Sequence, residues 1–253
     1  MLVMWRKWMK LKGKKAVVTG ANRSIGRAIA HVFAQEGSEL VVSYRSDKKG
    51  VEETVDTIQE DNGKVTAVFA DFSTFEGIQQ FYKECMRILG RIDILVNNAA
   101  AYDTQGFFDL KPEEFQKVLQ ISVLAPFFLS QLVAQEMIEN HVKGNIIHIS
   151  SISGTRPSLN RVAHATAKAA LNMLTQSMAL ELASHQIRVN AIAPGYTPYE
   201  LNAELDPFLN DIPLRRAGLP LDQAQAALFL ATEQSSWITG QIMTVDGGHS
   251  ISL

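Results

Sequence analysis

The chain has 253 residues, of which 46% are hydrophobic, 20% charged and 8% aromatic, with a formal net charge of −2. That is too apolar for disorder and too nearly neutral for a nucleic-acid footprint. The single cysteine, Cys85, excludes an internal disulfide and a cysteine zinc cluster, and no uninterrupted apolar run approaches the ~20 residues of a membrane span.

The first ten residues, MLVMWRKWMK, hold two Trp, three Met and three basic residues with no acid. Their apolar run is short for a secretory signal, and the charges follow it instead of preceding it. The segment reads as a surface extension or an early start site, with a small membrane or partner anchor as the alternative. From residue 11 to 253 one domain is expected. Strand-like runs at 16–19 (AVVT), 40–44 (LVVSY), 65–70, 92–96 (IDILV), 145–150 (NIIHIS), 187–192 and 242–245 are rich in β-branched residues. Helical patterns at 24–36, 48–61, 75–89, about 112–140, about 163–184 and 222–232 lie between them. The alternation predicts βαβ units: a single doubly wound α/β domain with a seven-stranded parallel sheet and helices on both faces.

The first strand runs into TGANRSIGRA, residues 19–28. Gly20 permits a tight turn, Gly26 lets helix and strand approach, and Ser24 stands where a dinucleotide fingerprint often has its middle glycine. The helix that begins there aims free N–H groups and its positive dipole end at a pyrophosphate. An acid that binds a ribose 2′-OH is expected at the end of the second strand. That place holds Tyr44, followed by Arg45, and Arg23 lies in the turn. Two guanidinium groups suit a 2′-phosphate, so NADP(H) is expected in preference to NAD(H).

Together with later motifs, these residues resemble the short-chain dehydrogenase/reductase family, in its ~250-residue branch that includes the 3-oxoacyl-carrier-protein reductases. The match runs from about Leu11 to Gly248. TGANRSIGRA is similar to the cofactor turn, with Asn22, Arg23 and Ile25 among its contacts. Asp71 and Phe72, in FADFS, resemble the adenine contact. Asn97-Asn98-Ala99-Ala100 resembles NNAG, and Pro194-Gly195 with Thr197 the nicotinamide loop; WITGQIMTVDGG resembles the family's C-terminal strand. The resemblance implies a Rossmann fold, a nicotinamide cofactor, a small-molecule substrate and usually a homotetramer. With the lone thiol, it makes a cytoplasmic protein the expectation.

It also implies a catalytic Asn, Ser, Tyr and Lys. The Ser carries over to Ser151 and the Lys to Lys168, which would also bind the cofactor; the Tyr position holds His164, and the Asn position Ser122. Ordinary carbonyl chemistry in this family takes its proton from a phenol whose pKa a neighbouring ammonium lowers. An imidazole starts from about 6.5, and the same charges hold it neutral. Its tip also falls roughly 2 Å short of a phenol hydroxyl. Three readings follow. His164 is the acid/base of an enzyme interconverting a carbonyl and an alcohol on a small or medium apolar substrate. Or the substrate is an imine that arrives protonated, or the chemistry is otherwise non-standard. Or the chain binds NADP without turnover, as a sensor or partner subunit.

Tyr196, Tyr199, Leu201, Leu205 and Phe208 are apolar candidates for a substrate lid, and Tyr102 and Phe107 for the opposite wall. Arg156 and Arg161 are candidates to attract an anion. Ser151, His164 and Asp103 have the residue types of a hydrolase triad, but no G-x-S-x-G elbow supports it. No motif for a metal is present. The small residues of the helix near 163–184, with the long helix before it, suit a subunit interface or packing on the sheet.

Overall fold

Residues 9–199 and 207–252 are described by the structure, a computed structural model. The expectations placed on residues 1–8, Leu201, Leu205 and the Phe208 side chain lie outside them. What precedes the first strand is tied down from residue 10: the Lys10 N–H donates to the Glu36 carboxylate and the Leu11 N–H to the Glu36 carbonyl, both at 2.9 Å.

The β-branched runs form β1 (Lys15–Val18), β2 (Glu39–Tyr44), β3 (Lys64–Phe69), β4 (Ile94–Asn97), β5 (Asn145–Ile149), β6 (Arg188–Pro194) and β7 (Ile242–Val245). All pairings are parallel, in the order β3-β2-β1-β4-β5-β6-β7. Between them lie α1 (Ser24–Gln35), α2 (Lys48–Glu60), α3 (Phe75–Leu89), α4 (Pro112–Leu119), α5 (Ala125–Glu139), α6 (Val162–Leu182) and α7 (Pro220–Ala231). The period of two along each strand sends alternate residues to opposite faces. Val18 and Val42 therefore pack with Ile29, Phe33 and Leu228 of α1 and α7. Val17, Val41 and Leu95 pack with Phe81, Leu129 and Met137 of α3 and α5. Each such side chain, fully buried, contributes about 1.5–3 kcal/mol.

Local chemistry sets the helix ends. Asp47 and Thr74 accept the Gly50 and Gly77 N–H groups at the starts of α2 and α3, and Gly90 closes α3 at φ +74°. The long helix expected over 112–140 is interrupted. Residues 120–124 form a π-helical turn between α4 and α5. Pro126 has no N–H to give to the Ser122 carbonyl, and the backbone widens there, with the Ala125 N–H reaching back to Gln120. The run Pro112–Glu139 is also long and apolar enough, at a mean hydropathy of 1.5, to cross a membrane, but half of that window is buried inside the fold.

The chain crosses from β3 at one edge to β4 beside β1. That reversal of strand order opens a crevice at the carboxyl ends of β1 and β4, where doubly wound sheets bind ligands.

Candidate active site

At that crevice lies a cleft of about 380 Å³. Its wall brings together Gly20, Asn22, Arg23, Ser24, Ile25 and Gly26 of the turn, Tyr44 and Arg45 after β2, and Phe72 after β3. Asn98 and Ala99 line its floor, and Ser151, Lys168, Pro194, Gly195 and Thr197 its far end.

The turn is held from below. Asn98 Nδ2 donates to the Thr19 and Gly20 carbonyls, each at 2.9 Å, while Thr19 Oγ1 accepts from the Asn98 and Ala99 N–H groups. The Gly20 N–H donates to Ser43 Oγ at 2.9 Å, and Asn22 Nδ2 to Asp47. Ser43 and Asp47 are supports that the motif did not reveal, since both come from beyond it in the chain. A Cβ on Gly26 would stand 2.4 Å from the Gly20 carbonyl oxygen and 2.5 Å from Asn98 Nδ2. Ser24, in place of the usual glycine, sits at φ +48°, a left-handed conformation that costs a side-chain-bearing residue free energy. Only a backbone without a side chain at Gly26 leaves this cradle shaped for a pyrophosphate, so the residues present fit a dinucleotide.

At the far end, Ser151 Oγ accepts the Ser153 N–H at 3.0 Å, which leaves its own proton to give. Lys168 is buried, and its Nζ donates to the Ile149 carbonyl at 2.6 Å. Burial pulls its pKa down to about 8. Beneath it on β5, His148 Nδ1 bonds Thr175 Oγ1 at 2.9 Å. Burial, then the Lys168 charge, holds that imidazole down at about 3.

Three expected residues stand outside the cleft wall. Asp71 turns to Ser73, at 2.7 and 3.0 Å, and to Arg45 at 3.8 Å. Ser122 accepts the Ala101 N–H at 3.1 Å and gives its own proton to the Ala101 carbonyl at 3.4 Å. His164 is 2% exposed. Tyr102 is stacked on its ring, with centroids 4.4 Å apart and planes 17° from parallel, and it is Tyr102 that lines the cleft. Burial first, then Lys168 and Arg161, pushes the His164 pKa down to about 4; Asp103 and a backbone bond to Ala101 oppose this. Its Nδ1 is buried without a partner.

The Asp103 carboxylate accepts the Ala163 and His164 N–H groups at 3.2 and 2.8 Å, so it caps α6 instead of serving a triad. Arg156 is bound to the His249 and Ser252 carbonyls, whereas the Arg161 guanidinium lies 5.7 Å from the Tyr102 ring centroid. Tyr199 lines the cleft with Arg23 4.5 Å over its ring, and Tyr196 faces a separate depression beside Pro213 and Gly248. Phe107 is exposed and lies outside the wall. Nothing in the spacing of the sequence pointed to the Tyr102–His164 stack, because one partner comes from the loop after β4 and the other from the first turn of α6.

A profile of the family described as Enoyl-(Acyl carrier protein) reductase matches residues 20–250. Glucose 1-dehydrogenase 2 of Bacillus subtilis is 36% identical over 248 residues, covering 95% of this chain and 96% of the relative. The 7alpha-hydroxysteroid dehydrogenase of Escherichia coli is 37% identical over 246 residues, covering 95% of each. A crystal structure from Beutenbergia cavernae, described as an NAD(P) dependent gluconate 5-dehydrogenase with bound NADP at low occupancy, superposes with a TM-score of 0.89. It is 34% identical and covers 97% of this chain and 100% of its own. Sheet order, cleft and relatives agree: the chain belongs to the short-chain dehydrogenase/reductase family.

Proposed function

We propose that the protein is an NADP(H)-dependent oxidoreductase that interconverts a carbonyl and an alcohol on a small or medium apolar substrate. The observation that carries the cofactor choice is the pair of arginines, Arg23 and Arg45, in the wall of the same cleft as Tyr44, the residue at the place where an NAD site would hold an acid. The Gly20–Gly26 turn would hold the pyrophosphate, and Pro194, Gly195 and Thr197 the nicotinamide side. When bound, that nicotinamide supplies or accepts the hydride. Ser151 then donates to the substrate oxygen and polarises it, and the Lys168 charge holds the ribose hydroxyls and sets the field. The proton moves at the head of α6, where the Tyr102 ring covers His164.

Imine reduction is the second reading. It draws support from the low pKa and sealed position of His164, since such a substrate brings its own proton. The exposed apolar groove of about 280 Å³ between α5 and α6, with Phe127, Leu174 and Met178 in its walls, supports association of copies into the family's tetramer. A cytoplasmic location rests on the single, buried thiol of Cys85.

The test is calorimetric titration with NADPH and NADH, followed by NADPH consumption on ketone, aldehyde and imine panels. Tighter binding of NADPH and turnover of a ketone or aldehyde are expected. Turnover of imines alone selects the second reading, and binding without any consumption makes the chain a sensor. Equal or tighter binding of NADH ends the NADP assignment.

A further inference from the structure

The residue that stands where this chemistry needs a phenol is an imidazole, and the imidazole is walled off. His164 keeps 2% of its surface and does not line the cleft. The ring that covers it belongs to Tyr102, which keeps 55% of its surface and does line the cleft, along with Ser151, Lys168 and Thr197. The phenol is missing from α6, but one supplied by the loop after β4 lies in the wall of the same cleft, over the His164 ring. That loop is pinned on both sides of the ring. The Ala101 N–H is held by Ser122, and the Asp103 carboxylate holds the first turn of α6. The two substitutions of the catalytic set are therefore linked. Ser122 fixes the strand of loop that carries Tyr102, and the smaller, flat ring of His164 gives Tyr102 a surface to lie on.

We propose that Tyr102 is the catalytic acid/base of this site, and that His164 is a positioning residue beneath it. In reduction, the Tyr102 O–H bond breaks and its proton forms the new O–H on the substrate oxygen, while the carbonyl carbon receives the hydride from the reduced nicotinamide. The phenolate left behind takes a proton from solvent through its open side. Oxidation runs the same bonds in reverse. The groups facing this phenol are Arg161 from the head of α6, Tyr199 from the loop after β6, and the neutral His164 ring. Asp103 is occupied on the backbone of α6. Loss of solvent, then Tyr199, raises the Tyr102 pKa, and Arg161 opposes them. Without a cofactor the phenol is therefore protonated at neutral pH. The positive charge of an oxidised nicotinamide would add to that of Arg161 and favour the phenolate needed for oxidation.

This rests on the NADP(H)-dependent reading above, and the experiment separates the two. Wild type, Tyr102→Phe and His164→Phe are compared for NADPH affinity by calorimetry and for kcat on whichever carbonyl substrate wild type turns over. Tyrosine ionisation is followed by ultraviolet difference spectroscopy with and without NADP+. Tyr102→Phe is expected to lower kcat by about 100-fold or more with NADPH affinity unchanged. His164→Phe keeps a ring under Tyr102 and is expected to retain kcat within about tenfold. One tyrosine of wild type is expected to drop by about one pH unit or more on NADP+ binding, and the drop to vanish in Tyr102→Phe. Loss of kcat in His164→Phe with retention in Tyr102→Phe overturns the proposal and returns the role to His164. An NADP+-linked tyrosine shift that survives in Tyr102→Phe overturns it too. If wild type binds NADPH without consuming it, the titration alone decides. Failure of wild type to bind NADPH at all removes the parent reading and this one with it.

Discussion

At the β1–β2 end of the cleft the groups that face a ligand are backbone N–H groups and solvated charges. Arg45 keeps 55% of its side-chain surface, and Arg23 lies over Tyr199. At the β5–α6 end the ionisable side chains are buried, and lost solvation drives His164 and Lys168 down to about 4 and 8. The first end is made by the path of the backbone, which holds Ser24 at φ +48°. The second end is made by side chains packed against each other. A side chain there is set by its neighbours, as the Tyr102 ring stacked on His164 shows.

The sharpest way to break this contrast is at Gly26. In Gly26→Ala the added carbon meets the Gly20 carbonyl and Asn98, which are fixed by their own hydrogen bonds, so the turn must open. NADPH affinity should fall about 100-fold or more by calorimetry; near-wild-type affinity would mean that the turn does not hold the phosphates.

The buried end should show itself in acid. His148 and His164 have folded pKa values below the unfolded 6.5. The unfolded chain therefore takes up their protons first as pH falls. The stability they contribute is complete above about pH 6.5 and is lost progressively as pH falls through about 4 and then 3. Urea unfolding between pH 7.5 and 4.5 should register a loss on the order of a few kcal/mol, with a shallower slope in His164→Phe. A flat profile over that window would contradict the neutral, buried state of both rings.

Arg45→Ala probes the exposed end. Removing one of two guanidinium groups should weaken NADPH about tenfold while leaving NADH unchanged. Equal losses for both cofactors would move Arg45 off the 2′-phosphate. The smallest effect belongs to Ser24→Gly, which relieves the left-handed strain at φ +48°. After the greater freedom of glycine in the unfolded chain is set against it, the gain is about 0.5 kcal/mol, seen as a higher urea midpoint.

The sheet, its helices and the glycine-rich turn were legible because their signals are local. Alternation of β-branched runs with helical periodicity, and glycines at fixed spacing after a strand, need no knowledge of distant contacts. The break in the long helix was legible in principle at Pro126, but hydropathy alone runs straight through it. At the site, Ser151 and Lys168 were found by their spacing and line the cleft, whereas Ser122 and His164 were found by the same spacing and lie behind it.

What the sequence determined by itself is therefore the fold, the place of the crevice and the chemical types at hand, since residue order along strands and helices dictates faces and ends. Only the tertiary structure decided which aromatic ring meets the cleft, that Asp103 caps α6, and that Ser122 holds the loop bearing Tyr102. Those are encounters between segments far apart in the chain, set by how loops close over a finished sheet, and no local spacing encodes them.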